Sequence, residues 1–460
     1  MTNSNPLLRR SQPARIAENL YERFELRENP FPDSPTIVPD SSDPRRNGEI
    51  YCADLRAHEQ NQFERLLIPR MEHENRLIAL LMDYATRRGR GIGKTAFLNH
   101  QRRRIMADLG DELTDGAYVL LAAHLIPEGG GRTRKFWQFV RLVAQTMNES
   151  KCISWAIWRL RAVSGLIPDD VLAEVDPRDP APTLGNDQWL RQRGIEVTFA
   201  LNSTVAQRLI EAGVREEVAR SLAQGGHAPE DWKRQFLDHQ TDYRWRQEGH
   251  LLVFDDLVRL FQAADIRQTL LLVDEVEKIV VPQNRQERRT FVDELRRHFV
   301  DGPFQNVYAR FYGLLLTIHP YVQELWAPHW QASGLDRVCA LSGGMSEEYT
   351  IYFNPLNAAD AAVPLVLAYL DHFRIIPDQR GQLAPFDQES VVEALRLSGG
   401  VPGPMLTLLR LVLEQAIREG WGAIRVDQVR TVYETAVPIE PLEEDVPGRL
   451  PPARVDLIED

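Results

Sequence analysis

The chain is predicted to adopt an α/β fold, a parallel sheet flanked by helices, from two stretches and the distance between them. The apolar run at 77–82 leads into Gly89-Arg90-Gly91-Ile92-Gly93-Lys94-Thr95, and a helix-like pattern follows from Thr95 to Met106. A second run, Thr269-Leu270-Leu271-Leu272-Val273, ends in Asp274 and Glu275. Short, wholly apolar runs read as strands buried on both faces, which is the habit of parallel sheets. Lys94 and Asp274 stand 274 − 94 = 180 positions apart, which places an inserted segment between them at about residues 150–250.

In chain order, residues 1–73 read as an N-terminal helix and a proline-rich arm. Ile16, Leu20, Phe24 and Leu26 form the apolar face of a helix over 1–27. The prolines between Pro30 and Pro44 exclude regular structure and predict an extended arm over the surface. A helical pattern resumes from Ala53 to Arg70. A core at 74–355 opens with the 77–82 strand. Ala117 to Ala123 reads as the next strand, and Phe136 to Met147 as an amphipathic helix. Within the insertion, Pro168 to Pro182 has the composition of a linker. Leu209, Ile210, Val214, Val218 and Leu222 mark one helical face, and Trp189, Trp232 and Trp245 lie among charges. The insertion is either a packing module or a contact surface for a partner. Leu252 to Ala264 is the helix before the acid-tipped strand, and Gly313 to Thr317 is a further buried strand. Glu348 to Phe353 is the last core strand. Residues 356–436 read as a small helical lid domain, with Asp387 as a helix cap. Residues 437–460 are rich in proline and acids and are expected to be disordered.

The first stretch has the chemistry of a phosphate-binding loop. Glycines let backbone N–H groups close round an anion, and the helix N-terminus adds partial positive charge. Gly89, Gly91, Ile92, Gly93, Lys94, Thr95 and Ala96 are the candidate nucleotide-binding residues. Lys94 would reach the β- and γ-phosphates, and Thr95 would offer a hydroxyl to Mg²⁺. The spacing departs from G-x-x-x-x-G-K-[ST] in that Arg88 occupies the first glycine's place, beside Gly89. An ordinary glycine-rich turn before a helix is the alternative. The second stretch has the form of a Walker B strand. Asp274 would join Thr95 as a metal ligand and Glu275 would polarise a water; two solvated acids after a core strand are the alternative. Together the two motifs describe a P-loop NTPase core. Thr317, at the end of a strand between the two motif strands, is the candidate for orienting that water, with His319 weaker. Arg337 is the candidate to reach into a neighbouring subunit's site.

Composition bounds the partners. The chain has 460 residues, 43% of them apolar, and a net charge of −12. A uniformly basic nucleic-acid coat is excluded, and any DNA contact must use local patches such as Arg102-Arg103-Arg104 or Arg132 and Arg134. Three isolated cysteines without a C-x-x-C pair suggest neither a zinc site nor a disulfide framework. No apolar run approaches the ~20 residues of a membrane helix, and the start of the chain lacks the apolar core of a signal peptide. A cytoplasmic protein without membrane contact is expected.

The order of parts resembles the AAA+ ATPases, and within them the group of origin-recognition and transposition-regulating ATPases. The resemblance is carried by Gly91-Ile92-Gly93-Lys94-Thr95, Leu271 to Glu275, Thr317, Asn354-Pro355-Leu356 and Ser398-Gly399-Gly400-Val401-Pro402, with Glu28-Asn29-Pro30-Phe31 in the arm. It implies ATP and Mg²⁺, hydrolysis to ADP and phosphate, and a homo-oligomer. It also implies DNA or a DNA-processing protein as partner, in a setting such as anti-phage defence or mobile-element control. A signalling switch that binds protein without DNA and a scaffold that has lost turnover are the alternatives. The family's second sensor arginine would fall at Gly403, where it is missing; Arg410 is the nearest substitute.

Overall fold

Five apolar runs become the strands of one sheet: β1 (Ile78–Met82), β2 (Leu120–Leu125), β3 (Gln268–Val273), β4 (Tyr312–Ile318) and β5 (Thr350–Tyr352). The computed structural model describes residues 19–34, 36–38, 41–68, 77–83, 91–224, 233, 249–301, 311–341 and 347–436. Every strand pair is parallel, in the order β2-β3-β4-β1-β5. β1 to β4 are buried along their whole lengths, which explains why their sequences do not alternate between apolar and polar.

Helix α1 (Ala57–Leu67) precedes β1, and α2 (Lys94–Asp108) and the short α3 (Asp111–Thr114) lead to β2. Between β2 and β3 come α4 (Phe136–Glu149), α5 (Cys152–Ala162), α6 (Asp169–Leu172), α7 (Asp187–Gln192), α8 (Asn202–Glu211), α9 (Glu216–Leu222) and α10 (His250–Ala263). After β3 come α11 (Glu277–Val280) and α12 (Arg285–Leu295), and α13 (Pro320–Ser333) follows β4. Past β5 the chain is helical: α14 (Ala358–Phe373), α15 (Gln388–Leu397), α16 (Pro402–Glu419) and α17 (Val426–Ala436). No helix among the described residues is long and apolar enough to cross a membrane.

Strand side chains alternate between faces, and the two faces bury different partners. Leu80, Met82, Leu271, Val273, Leu314 and Leu316 join one core with α4, α5, α10, α12 and α13. Ala79, Leu81, Leu270, Leu272 and Leu315 face the other way, against Phe97, Leu98 and Ile105 of α2 and Phe63 and Leu67 of α1. Each fully buried Leu or Phe contributes about 1.5–3 kcal/mol. The described part of the insertion belongs to the first core. Val205, Leu209, Val218 and Leu222 are buried in the same cluster as β3 and β4, so α8 and α9 are packing elements.

Contacts group the chain into two units. The larger comprises residues 36–356 with 401–403. The smaller comprises residues before 36 with 357–400 and 404 onward. Within the smaller unit, Phe31 packs on Tyr369 and Phe386, with ring centroids 6.2 and 5.9 Å away. Leu26 bridges to Arg374, whose buried guanidinium donates to the Phe24 and Gln382 carbonyls.

Several expectations are corrected here. Residues 1–18 lie outside the described residues, and 19–27 are not helical beyond one 3-10 turn, Glu22–Phe24. The Asn19 side chain curls this segment. Its amide donates to the Leu26 and Arg27 carbonyls and its oxygen accepts from the Tyr21 N–H, a local arrangement that competes with helix. Leu20 is consequently exposed rather than on an apolar face. The arm is irregular, as its prolines require, but Asn29 to Pro32 are buried rather than laid over the surface. The segment from Pro168 to Pro182 is not a linker: α6 buries Val171, and Leu172, Val175 and Ala181 pack against the same core. Trp232, Trp245 and residues 437–460 lie outside the described residues. Asp387 caps α15 as its sequence suggests, accepting from the Ser390 N–H at 2.7 Å.

In the smaller unit Glu393 of α15 accepts from Arg396 and from Arg430 of α17, each at 2.7 Å. The Arg396 bond, aided by Arg430, outweighs burial and holds the carboxyl down from 4.5 to about 2. A carboxylate whose folded value is depressed stabilises above its unfolded value and loses that contribution as pH falls. Thermal melts should therefore lose stability between pH about 4.5 and about 2, and Glu393→Gln should flatten that part of the profile.

Candidate phosphate site at the carboxyl edge of the sheet

The site is built from strand ends. In the β3–β4 register Val273 pairs with Leu316, so the next residues, Asp274 and Thr317, stand opposite one another. The Thr317 hydroxyl donates to Asp274 Oδ1 at 3.0 Å. On the other oxygen, the Thr95 hydroxyl donates to Asp274 Oδ2 at 2.5 Å. The Glu275 N–H adds a bond to Oδ1 at 2.9 Å. Three segments remote in sequence thus meet on one carboxylate, which is 3% exposed. Burial on its own would raise an aspartate. The surrounding His124, Thr95 and Glu275 N–H outweigh burial and hold the Asp274 carboxyl at about 2, so it is ionised and acts as an acceptor only.

The glycine-rich turn ends at the first turn of α2. Gly91 and Gly93 have φ of 85° and 103°, a region that residues with a Cβ rarely occupy. Gly93 is the N-cap of α2, no side chain caps that helix, and its first turn holds no acid. The leading N–H groups and the helix dipole therefore suit an anion. Lys94 and Thr95 open the helix, with Ala96 in the same half-buried turn. Lys94 Nζ lies 3.4 Å from Asp83 Oδ2. Ile92 is buried, and its carbonyl accepts from Arg56 Nη2 at 3.0 Å. Arg56 also donates to Glu59 and to the Asn354 carbonyl, each at 2.8 Å, so one buried guanidinium ties the turn to the segment after β5. Gly403, in the same unit, donates its N–H to the Gly91 carbonyl at 2.9 Å. Gly89 and Arg88 lie outside the described residues.

Glu275 sits at φ 46° and is ion-paired with Lys278. A non-glycine residue held there stores backbone strain, which is common at functional sites. Burial pushes the nearby Glu277 carboxyl up, and the charges of Asp274 and Glu275 add to the shift. His319 is the N-cap of α13 and accepts from the Tyr321 N–H through Nδ1 at 3.2 Å. Its imidazole is held low by burial and by Lys94, against Asp83. Arg337 ends a 3-10 turn, Leu335–Arg337, and is exposed; it does not join the residues gathered around Asp274. Arg410 is paired with Glu414 at 3.0 Å.

Three site residues escaped the sequence reading. His124, the last residue but one of β2, has a buried side chain with Nε2 3.6 Å from Asp274 Oδ2. Among the described residues neither of its ring nitrogens makes a hydrogen bond. Asp83 follows β1 and is 1% exposed. Both had a signal: Asp83 is the polar residue that ends an apolar run, and His124 is the polar residue inside one. Arg56 had none, because the Ile92 and Asn354 carbonyls it meets are remote in sequence.

No group of three or more His, Cys, Asp or Glu among the described residues is arranged to hold a metal alone. One carboxylate and one hydroxyl, Asp274 and Thr95, do fit a Mg²⁺ that keeps waters and takes phosphate oxygens for its remaining ligands. The arrangement can bind a phosphate chain with its cation beside an acid able to accept a proton.

No family model matches the chain, and no curated protein matches it. Among solved structures it is similar to the ORC2 protein of Aeropyrum pernix, determined in ADPNP–ADP complexes, at 12% identity and a TM-score of 0.41, over 87% of this chain and 69% of that one.

Thr317→Val removes a donor from a buried carboxylate and leaves Oδ1 with the Glu275 N–H. Urea denaturation without nucleotide should show a loss of about 1–3 kcal/mol.

Proposed function

We propose that this chain is an ATP-binding and ATP-hydrolysing switch of the AAA+ kind. The observation that carries the proposal is the convergence of Thr95, from the helix after the glycine-rich turn, and Thr317, from a neighbouring strand, on the buried Asp274. An isolated glycine-rich turn or a strand tipped with solvated acids would not require that meeting.

In this reading the α2 N-terminus and Lys94 bind the phosphates, and Thr95 and Asp274 hold Mg²⁺, which would supply charge neutralisation at the phosphate oxygens. Glu275 takes a proton from the water that adds to the terminal phosphorus, while ADP departs with the electrons of the broken P–O bond. To do so it must exchange its ion pair with Lys278 for the water. Thr317 fixes the Asp274 carboxylate and orients the water. Arg337, being exposed, acts on the site of a neighbouring subunit in a homo-oligomer.

DNA is the partner we infer, in a bacterial process such as anti-phage defence or mobile-element control; that setting rests on likeness of parts alone. The favoured contact is the loop before α4. A cleft of about 340 Å³ there is lined by Gly130, Gly131, Arg132, Arg134, Lys135 and Trp137. A net charge of −12 favours a second reading, a nucleotide-dependent signalling switch that binds protein without DNA.

Glu275→Gln should bind ATP with near-normal affinity and show turnover reduced at least about a hundredfold in a phosphate-release assay; normal turnover removes Glu275 from its role. If the DNA reading holds, log Kd for duplex DNA varies with log salt, and the double substitution Arg132→Ala with Arg134→Ala lowers that slope by about 2. An absence of DNA binding at low salt favours the signalling switch.

A further inference from the structure

We propose that His124 is a third protein donor to the divalent cation held with the phosphates, and that its nitrogen shifts the site's preference from Mg²⁺ toward Mn²⁺. The inference rests on the nucleotide-binding reading above and adds a ligand and a metal preference to it. His124 is the one polar residue of β2, Leu120-Leu121-Ala122-Ala123-His124-Leu125. The β2–β3 register pairs it with Leu272, two positions before Asp274 and so on the same face of the sheet. That is the face on which α2 packs, and Thr95 stands in the first turn of α2.

The His124 side chain is 2% exposed, and its Nε2 stands 3.6 Å from Asp274 Oδ2. That is too long for a hydrogen bond, and neither ring nitrogen has another partner among the described residues. A buried imidazole without a partner is unfavourable, so a strand that is otherwise apolar holds a polar group its own packing does not use. The same oxygen, Asp274 Oδ2, receives the Thr95 hydroxyl at 2.5 Å. A carboxylate oxygen, a hydroxyl oxygen and an imidazole nitrogen, each from a different element, are thus gathered around one point. Two donors ~2.1 Å from one ion lie between about 3.0 and about 4.2 Å apart, from right-angled to opposed. The His124–Asp274 separation falls inside that interval. The Thr95 hydroxyl can keep its hydrogen on Asp274 and still offer a lone pair. Mg²⁺ is a hard ion that takes oxygen ligands, whereas transition ions also accept imidazole nitrogen. A nitrogen in the donor set therefore favours Mn²⁺ over Mg²⁺.

The test is pulsed electron paramagnetic resonance of the full chain with Mn²⁺ and a non-hydrolysable ATP analogue. The wild-type complex should show the ¹⁴N modulation of a directly bound imidazole. That modulation should change to the ¹⁵N pattern in protein made with ¹⁵N-histidine, and vanish in His124→Leu. Competition between Mn²⁺ and Mg²⁺ reads the preference. A partner behind a ligand is worth about tenfold or more in metal affinity, and a donor should be worth no less. His124→Leu should therefore weaken Mn²⁺ at least about tenfold and Mg²⁺ by clearly less. If the wild-type complex forms without the modulation, or the modulation persists in His124→Leu, His124 is not a ligand and the proposal fails while the nucleotide reading stands. If wild type binds neither the analogue nor Mn²⁺, both fail. Should the leucine variant not fold, His124→Gln takes its place, and the labelled wild type still decides whether a histidine is bound.

Discussion

The site depends on strand parity. On four of the five parallel strands, the α2-facing row carries apolar side chains that lead to a polar one near the carboxyl end. That row reads Ala79, Leu81, then Asp83 after β1; Leu120, Ala122, then His124 in β2; Leu270, Leu272, then Asp274 after β3; and Leu315, then Thr317 in β4. A period of two residues carries all four polar groups to the same face, the face against which α2 packs. Slipping one strand by a single residue would exchange its polar group for an apolar one and turn the polar group into the opposite core.

Burying Asp274 as an anion is unfavourable unless its oxygens are satisfied. Thr95, Thr317 and the Glu275 N–H satisfy them, and each comes from an element fixed by the apolar cores. The sheet therefore contributes more than position. By holding the donors rigidly it keeps the carboxylate ionised. Where the chain turns at this cluster, Gly91 and Gly93 supply positive φ without cost and Glu275 is held at φ 46°. Arg56 binds the first of these turns through the Ile92 carbonyl.

Much of this was legible in the sequence, for physical reasons. Strands buried on both faces leave continuous apolar runs, so all five were found within a few residues of their observed ends. Thr95, Asp274 and Thr317 could be named from their places at those ends, although their shared hydrogen bonds could not. Asp83 looks like the start of a loop after an apolar run, and His124 looks like a chance interruption of one, so neither announces a site. The N-terminal segment misled for a different reason. Its helical spacing of Leu20, Phe24 and Leu26 was real, but the Asn19 side chain outcompeted the helix for backbone groups. Proline-rich composition suggests a surface arm near the start and a linker at Pro168 to Pro182, but exclusion from regular structure is not exclusion from a core. Phe31 and Val171 are both buried in irregular or barely helical chain.

The burial of Phe31 against Tyr369 and Phe386 has a consequence for the order of events on the ribosome. The smaller unit draws one of its central rings from the beginning of the chain and the rest from its last hundred or so residues, with the entire sheet translated between. The early segment must wait, its aromatic side chain unhoused, until the helices after β5 emerge. A fragment starting after the sheet would in turn carry an open socket where that ring belongs. On the ribosome the strands of the sheet are therefore complete before Phe31 meets Tyr369 and Phe386.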